Sequence, residues 1–298
     1  MGNTVLGIIG GSGLSDLPGL QDKQWRTVDS AFGAPSDQLC FGHINGQKIV
    51  FLPRHGRGHT IPPDAINFRA NIDAMKRAEV TDLVSFSAVG SLREDLPPGS
   101  FVRVDQYIDR TLGRVSSFFG TGLVAHVSMG DPTCSRLGQW ADAAAAQVDV
   151  PLHAGGTYLA MNGPQFSTQA ESHLYRSWGC DVIGMTNMPE AKLAREAEIC
   201  YITIAMVTDF DCWHPDHDHV EVAQIIGVMN ANADKAKTLM AGIAAHLGQV
   251  QSGDRTDCDT GCDHALENAI ITGPDARNPK LVGKLSAILQ RVNGGSDA

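Results

Sequence analysis

Asp209-Phe210-Asp211 sets two carboxylates two residues apart, directly after the apolar run of residues 200–208. Along an extended strand such residues point the same way. The pair is therefore a candidate for general acid work or for holding a cation. Magnesium or calcium would want further oxygen ligands. His214, Asp216, His217, Asp218 and His219 follow, but they read better as a solvated loop. Arg54-His55-Gly56-Arg57-Gly58-His59 gathers four potentially cationic side chains into six residues of an otherwise acidic chain. An arginine there offers a planar fork suited to phosphate. Gly10-Gly11-Ser12-Gly13 lets the backbone approach an anion, with a hydroxyl as added donor. A dinucleotide loop is the rival reading, but the spacing is a poor G-x-G-x-x-G and Pro18-Gly19 interrupts any helix after it. Gly184-Met185-Thr186 joins an apolar pair, Val182-Ile183, to a helix that opens with Pro189-Glu190. Such junctions collect ligands in α/β folds. Cys258-x3-Cys262-x-His264 has metal-ligand character, but a closed site needs a fourth ligand and no partner pair is evident. Two free thiols in a loop is the expectation there, with a local disulfide as the alternative.

These residues need elements to position them. Apolar runs predict strands at 5–9, 47–52, 82–92, 101–109, 155–161, 182–183 and 200–208. Helical periodicity predicts helices at 64–79, capped by Asp64, and at 136–148, 169–179, 189–199 and 221–247. Strands alternating with helices give an α/β fold: a single domain with a mixed central sheet flanked by helices, whose strand ends converge on one site. Residues 1–249 form that domain. The composition turns polar near residue 250, and Leu281, Val282, Leu285, Ile288, Leu289 and Val292 recur at helical spacing. Residues 250–298 therefore read as an extension with one docking helix. Phe118-Phe119, within the loop-rich stretch 111–129, either cover a site, meet a neighbouring subunit or tuck in locally.

The chain has 298 residues, 43% of them hydrophobic, enough for a sizeable core. A formal charge of −10 argues against nucleic acid or an anionic membrane as partner. No apolar run reaches membrane-spanning length. Without a basic leader, and with seven cysteines mostly in apolar segments, a cytoplasmic setting is expected.

At this point the chain resembles a known family. Gly-Ile-Ile-Gly-Gly-Ser-Gly-Leu (7–14), Arg-His-Gly-Arg-Gly-His (54–59), Asn-Phe-Arg-Ala-Asn-Ile (67–72), Gly-Ser-Leu-Arg-Glu (90–94), Asp-Gln-Tyr-Ile-Asp-Arg-Thr (105–111), Gly-Pro-Gln-Phe-Ser (163–167), Gly-Met-Thr-Asn-Met-Pro-Glu (184–190) and Thr-Asp-Phe-Asp-Cys-Trp (208–213) occur in one order. Together they are similar to the purine nucleoside phosphorylases of the trimeric class, over residues 5 to about 247. The resemblance implies a phosphate site made by Ser12, Arg54, His55, Ser87 and Thr186. It implies Met185 against the ribose, Ala88 and Phe166 on the base, and Ser167 near the base edge. Asp209 and Asp211 would be the catalytic pair that holds the purine N7 and 6-amino group. Val220, Val222 and Ile225 would line an apolar 5′ pocket, joined by His126 of a neighbouring subunit in a homotrimer. The implied reaction is phosphorolysis of 5′-methylthioadenosine to adenine and 5-methylthioribose 1-phosphate. It uses no metal and no organic cofactor, and phosphate is a co-substrate. Gly184 stands where many adenine-directed relatives carry Asn, and Gly-Met-Thr also occurs in relatives that act on 6-oxopurines. A purine nucleoside or 5′-methylthioinosine phosphorylase is therefore the alternative, against which the Asp209/Asp211 pair argues.

Overall fold

A computed structural model of the chain describes residues 4–11, 14, 17, 19–215, 222–250 and 258–294. The elements run β1 (Val5–Gly10), β2 (Gln21–Arg26), β3 (Leu39–Ile44), β4 (Gln47–Pro53), α1 (Phe68–Arg77), β5 (Asp82–Ser91), β6 (Phe101–Val104) and β7 (Gln106–Asp109). They continue with α2 (Ser135–Gln147), β8 (Leu152–Ala154), β9 (Thr157–Ala160), α3 (Gln169–Ser177), β10 (Val182–Gly184), α4 (Asn187–Glu196), β11 (Cys200–Asp209), α5 (Val222–Val250), α6 (Pro279–Lys284) and α7 (Gln290–Gly294).

Among the described residues, eleven strands join in one mixed sheet, and β5 is its hub. The first part of β5 lies parallel to β1 on one side and to β11 on the other, while its last residues pair antiparallel with β10. The order β2-β3-β4-β1-β5-β10-β9-β7 therefore carries a branch, β11-β6-β8, off β5. Both faces are covered. Val5 and Ile9 of β1, with Tyr201, Ala205 and Val207 of β11, face one core with α1 and α4. Leu6 and Ile8, with Cys200, Ile202, Ile204 and Met206, face the other with α2 and α5. Alternate residues go to opposite faces, and because both faces are buried the strands read as largely apolar runs. The single-domain α/β fold expected from the sequence is the one observed.

Several expectations on the elements change. β2 (QDKQWR) is almost wholly exposed, so it carries no apolar signal and pairs only at the edge with β3. The expected strand 101–109 breaks at Asp105: β6 follows β11, and β7 turns away to pair with β9. α1 is capped by the Asn67 side chain accepting from the Ala70 N–H, not by Asp64. The C-terminal helix is two short ones, α6 and α7, and Leu285, Ile288 and Leu289 pack between them into the α1/α4 core. Phe118 and Phe119 are tucked in, with Phe118 edge-on to Phe32 at 5.0 Å between ring centres.

Candidate active site

Strand register builds the first part of the site. β10 pairs antiparallel with the end of β5, Val182 opposite Ser91 and Ile183 opposite Gly90. Continuing that register brings Thr186 opposite Ser87, and their hydroxyls lie 3.2 Å apart. Both residues are buried. The Tyr158 hydroxyl from β9 completes the group, 3.4 Å from Ser87 Oγ and accepting from the Thr186 N–H at 3.4 Å. Tyr158 is fully buried, and burial pushes its phenol up, so it stays neutral. Gly184 is what admits it: a Cβ there would sit 2.0 Å from the Tyr158 hydroxyl and 3.1 Å from Val89 Cγ1. The glycine in this turn answers to the tyrosine beside it. Three hydroxyls and a strand end thus form a neutral group of hydrogen-bond donors suited to an oxyanion.

Arg54 follows β4, anchored by its N–H to the Gly10 carbonyl at 2.9 Å. Its guanidinium is wholly buried and already engaged. Nε donates to Glu190 Oε2 at 3.0 Å and Nη1 to the Phe86 carbonyl at 2.9 Å. Nη2 donates to Ser85 Oγ at 2.5 Å and to Glu190 Oε1 at 3.2 Å. Burial opposes its charge, but the Glu190 carboxylate outweighs burial and raises its pKa. A guanidinium has five N–H groups; among the described residues these contacts leave one Nη1 N–H unengaged. Below the pair, Asn187 Nδ2 reaches Ser85 Oγ, the Tyr201 hydroxyl and Thr203 Oγ1 at 2.8–2.9 Å, and Tyr201 donates to Glu190 Oε1 at 2.9 Å.

His55 differs from the cationic group expected. Its Nδ1 lies 2.8 Å from the Ile61 carbonyl, which can only accept, so Nδ1 carries the proton. The ring stacks on His59 at 4.2 Å. Burial, then the charge of Arg54, lowers its pKa to about 4. Arg57 turns outward onto Asp37, 2.9 Å from Nη2 to Oδ1. Of the four cations read from this run, only Arg54 brings a buried charge to the strand ends.

The carboxylate pair lies where β11 stops. The register slips between Val207 and Asp209, which falls opposite Gly90. A Cβ at Gly90 would be 2.9 Å from Asp209 Oδ1, so a side chain there would displace the carboxyl from its place against β5. Extended geometry ends here, and alternation does not align the pair. Asp211 takes a left-handed φ of 53° and its N–H turns back to Asp209 Oδ1 at 2.8 Å, an Asx turn. Thr208 Oγ1 lies 2.7 Å from Asp209 Oδ2 and 3.1 Å from the Val89 carbonyl. The hydroxyl has one hydrogen for two acceptors, and the shorter contact is its donation to Asp209 Oδ2. Burial pushes the Asp209 carboxyl up, and the Asp211 charge adds to the rise. Burial also raises Asp211, against the nearby Ser172 and Ser167 hydroxyls. Asp211 Oδ2 has no hydrogen-bond partner among the described residues.

The remaining candidates fall around these two groups. Ala88 lies on β5 between Ser87 and Gly90 and is half-buried. Met185 packs over Gly163, where a Cβ would meet its sulfur at 2.5 Å. Ser167 Oγ lies 3.7 Å from Met161 Sδ, and its carbonyl accepts from Cys212. Phe166 is 44% exposed. His126 is exposed and bonds through its N–H to the Ala269 carbonyl at 2.9 Å. Ser12 and Val220 lie outside the described residues, as do Asp216, His217, Asp218 and His219. Val222 and Ile225 fall on the first turn of α5, with their side chains outside the described set.

The sequence reading missed Glu190, Ser85, Tyr158 and Arg114. Arg114, in the loop after β7, donates to the carbonyls of Met185, Met188 and Asn162, each at 2.7 Å, and so pins the Gly184-Met185-Thr186 turn to the chain before Gly163. Nothing local marks Arg114 or Tyr158. In the sequence Glu190 stands only as an acid at the opening of a helix.

A family model described as the phosphorylase superfamily matches residues 5–245. The S-methyl-5′-thioadenosine phosphorylase of Rhodospirillum rubrum is 59% identical over 291 residues, 97% of each chain. That of Bradyrhizobium diazoefficiens is 57% identical over 295 residues, 99% of this chain and all of its own. Among solved structures, a methylthioadenosine phosphorylase from an Antarctic soil metagenomic library superposes with a TM-score of 0.88 at 44% identity, covering 97% of this chain and 100% of that one. The methylthioadenosine phosphorylase of Schistosoma mansoni, in complex with adenine, gives 0.83 at 36% identity, covering 89% and 98%.

Proposed function

The chain belongs to the phosphorylase superfamily, and on that premise we propose that it cleaves 5′-methylthioadenosine with inorganic phosphate, giving adenine and 5-methylthioribose 1-phosphate. One observation carries the reading. Two raised carboxyls, one with an oxygen left unpaired, lie at the end of the strand that pairs with β5, and β5 also supplies Ser87 to the hydroxyl group. An acid for the leaving base and a cradle for the attacking oxyanion therefore lie on two paired strands, β11 and β5.

In this reading phosphate is held by Ser87, Thr186, the remaining Nη1 N–H of Arg54, Ser12 and the His55 backbone. The Glu190–Arg54 pair adds no net charge, so the dianion is met by oriented dipoles and one directed N–H rather than by a cationic patch. Phosphate attacks C1′ as the glycosidic bond lengthens through an oxocarbenium-like state, over Met185. Asp209 gives its proton to purine N7, and Asp211 Oδ2 accepts from the 6-amino group. A positioned acid contributes ~10²–10⁴-fold and positioning of the nucleophile a further share. Ala88, Phe166 and Ser167 border the base. Val220, Val222 and Ile225 take the methylthio group, with His126 supplied by a neighbouring copy in a homotrimer. The exposed Leu112 and Val115, in the loop that follows β7, support such a contact. The chemistry calls for neither a metal nor an organic cofactor. Seven cysteines free of disulfides suit a cytoplasmic setting, and no described helix is long and apolar enough to cross a membrane.

The acceptor at Asp211 predicts the base. Supplied with equal 5′-methylthioadenosine and 5′-methylthioinosine plus phosphate, the protein should release adenine at least tenfold faster than hypoxanthine. Faster hypoxanthine release would assign the site to 6-oxopurines instead.

A further inference from the structure

The Cys258 and Cys262 thiols do not lie in an open loop. Both are buried, against two cysteines far off in sequence: Cys134, the N-cap of α2, and Cys200, the first residue of β11. The four sulfurs lie within 4.8 Å of one another. We infer that Cys134, Cys200, Cys258 and Cys262 are the four ligands of a structural zinc ion, which fastens the C-terminal segment to the sheet.

The spacing suits a coordination tetrahedron. Zn–S bonds of ~2.3 Å give S–S edges of about 3.8 Å, and Cys134 Sγ lies 3.6 Å from Cys258 Sγ. A disulfide needs about 2.05 Å, and all four cysteines are unbonded. The third and fourth ligands that the motif lacked come from α2 and β11. His264 is not grouped with the four sulfurs, and its Nδ1 lies 3.0 Å from Asp263 Oδ1. The turn is shaped to present both of its thiols. The Gly261 N–H returns to the Cys258 carbonyl at 2.8 Å, Gly261 takes a φ of 69°, and the Cys258 N–H is held by Asp263 Oδ2 at 2.9 Å.

The surroundings suit a thiolate cluster. Zinc with four thiolates carries a net charge of −2, and the four displaced thiol protons pass to solvent or buffer. Arg136 Nη2 stands 3.3 Å from Cys200 Sγ, and the Leu137 N–H at the start of α2 donates to Cys134 Sγ at 3.4 Å. Thr260 Oγ1 lies 3.0 Å from Cys258 Sγ and 3.4 Å from Cys262 Sγ. Such outer contacts orient ligands and offset charge. Four sulfurs in a tetrahedron select zinc or iron. The cluster is at the first residue of β11 and Asp209 at its last, about 30 Å along the strand at ~3.3 Å per residue. A site so far from the reaction needs no redox chemistry, which favours zinc. The inference is independent of the reaction proposed above.

The full chain, expressed untagged with zinc present and purified under reducing conditions without chelator, should hold about one zinc per chain by plasma mass spectrometry. Cys258→Ser and Cys262→Ser should each hold less than a tenth of that and melt lower. Cobalt replacing zinc in the unaltered chain should show the thiolate charge-transfer and red d–d bands of a tetrahedral site, which does not depend on any variant folding. Zinc below a tenth per chain together with no cobalt bands overturns the inference. So does stoichiometric iron in its place, or a native disulfide among the four cysteines found by peptide mapping.

Discussion

In the proposed reaction Asp209 acts in its protonated form, and removal of water around it favours that form. Its pKa is raised by burial first and by Asp211 second. The folded state therefore keeps the proton over a window that opens at the ordinary carboxylate value and runs up to the raised one. In that window the unfolded chain binds fewer protons, so stability is fullest below it and falls as pH rises through it. Asp209→Asn separates the two consequences. Its amide can accept from the Asp211 N–H and donate to Thr208, which then donates to Val89. The variant should lose ~10²–10⁴-fold in kcat for adenine release. It should also melt no lower than the parent at neutral pH, with a flatter dependence of melting temperature on pH. Near-normal kcat would reject the acid role, and a large fall in melting temperature would reject burial as the source of the shift. His55 teaches a related lesson. Its cationic character was read from residue type, but a carbonyl partner and burial leave it neutral. Charge states belong to environments that a sequence does not print.

At the scale of elements, β9 and β10 interlock through Tyr158 and Gly184. Tyr158 pairs with Val182, two residues before Gly184 on the same face of the sheet, so the ring lies over the glycine. An Asn at 184 would clash with the phenol, which explains the glycine without appeal to base choice. Gly184→Asn alone should therefore destabilise the fold by ~1–3 kcal/mol or more through overpacking. In a Tyr158→Val background the same change should cost far less, giving a coupling of ~1–3 kcal/mol in a denaturant double-mutant cycle. Additive effects would show that the two residues do not share that space. The Arg54–Glu190 pair belongs to the same scale. Between residues 1% exposed, removing one partner costs about 3–5 kcal/mol because the other charge is left uncompensated. Its role is to fix α4 under the ends of β4 and β5. Glu190 looked like a first-turn acid because only the tertiary fold brings it to Arg54, 136 residues earlier.

Across the whole molecule, the legible parts were those that local patterning determines. Apolar-rich runs marked β1, β4, β5 and β11, because strands covered on both faces are mostly apolar. The polar edge strand β2 gave no such signal, and the break at Asp105 follows from partners that only the folded sheet supplies. Site segments were found where hydroxyls, carboxylates or glycines followed a strand. Tyr158, Arg114 and Ser85 were hidden because they act from within the core or from a distant loop. The C-terminal segment shows the same limit: half of its cysteine cluster lies in the segment and half in α2 and β11. The central claim is that the hydroxyl cradle and the carboxyl pair act on one substrate, with phosphate as the nucleophile. Adenine release from 5′-methylthioadenosine, followed with and without inorganic phosphate, tests it most directly. The account predicts release that depends on phosphate, saturates with it, and yields one 5-methylthioribose 1-phosphate per adenine. Adenine released at the same rate without phosphate, with free methylthioribose as product, would contradict it.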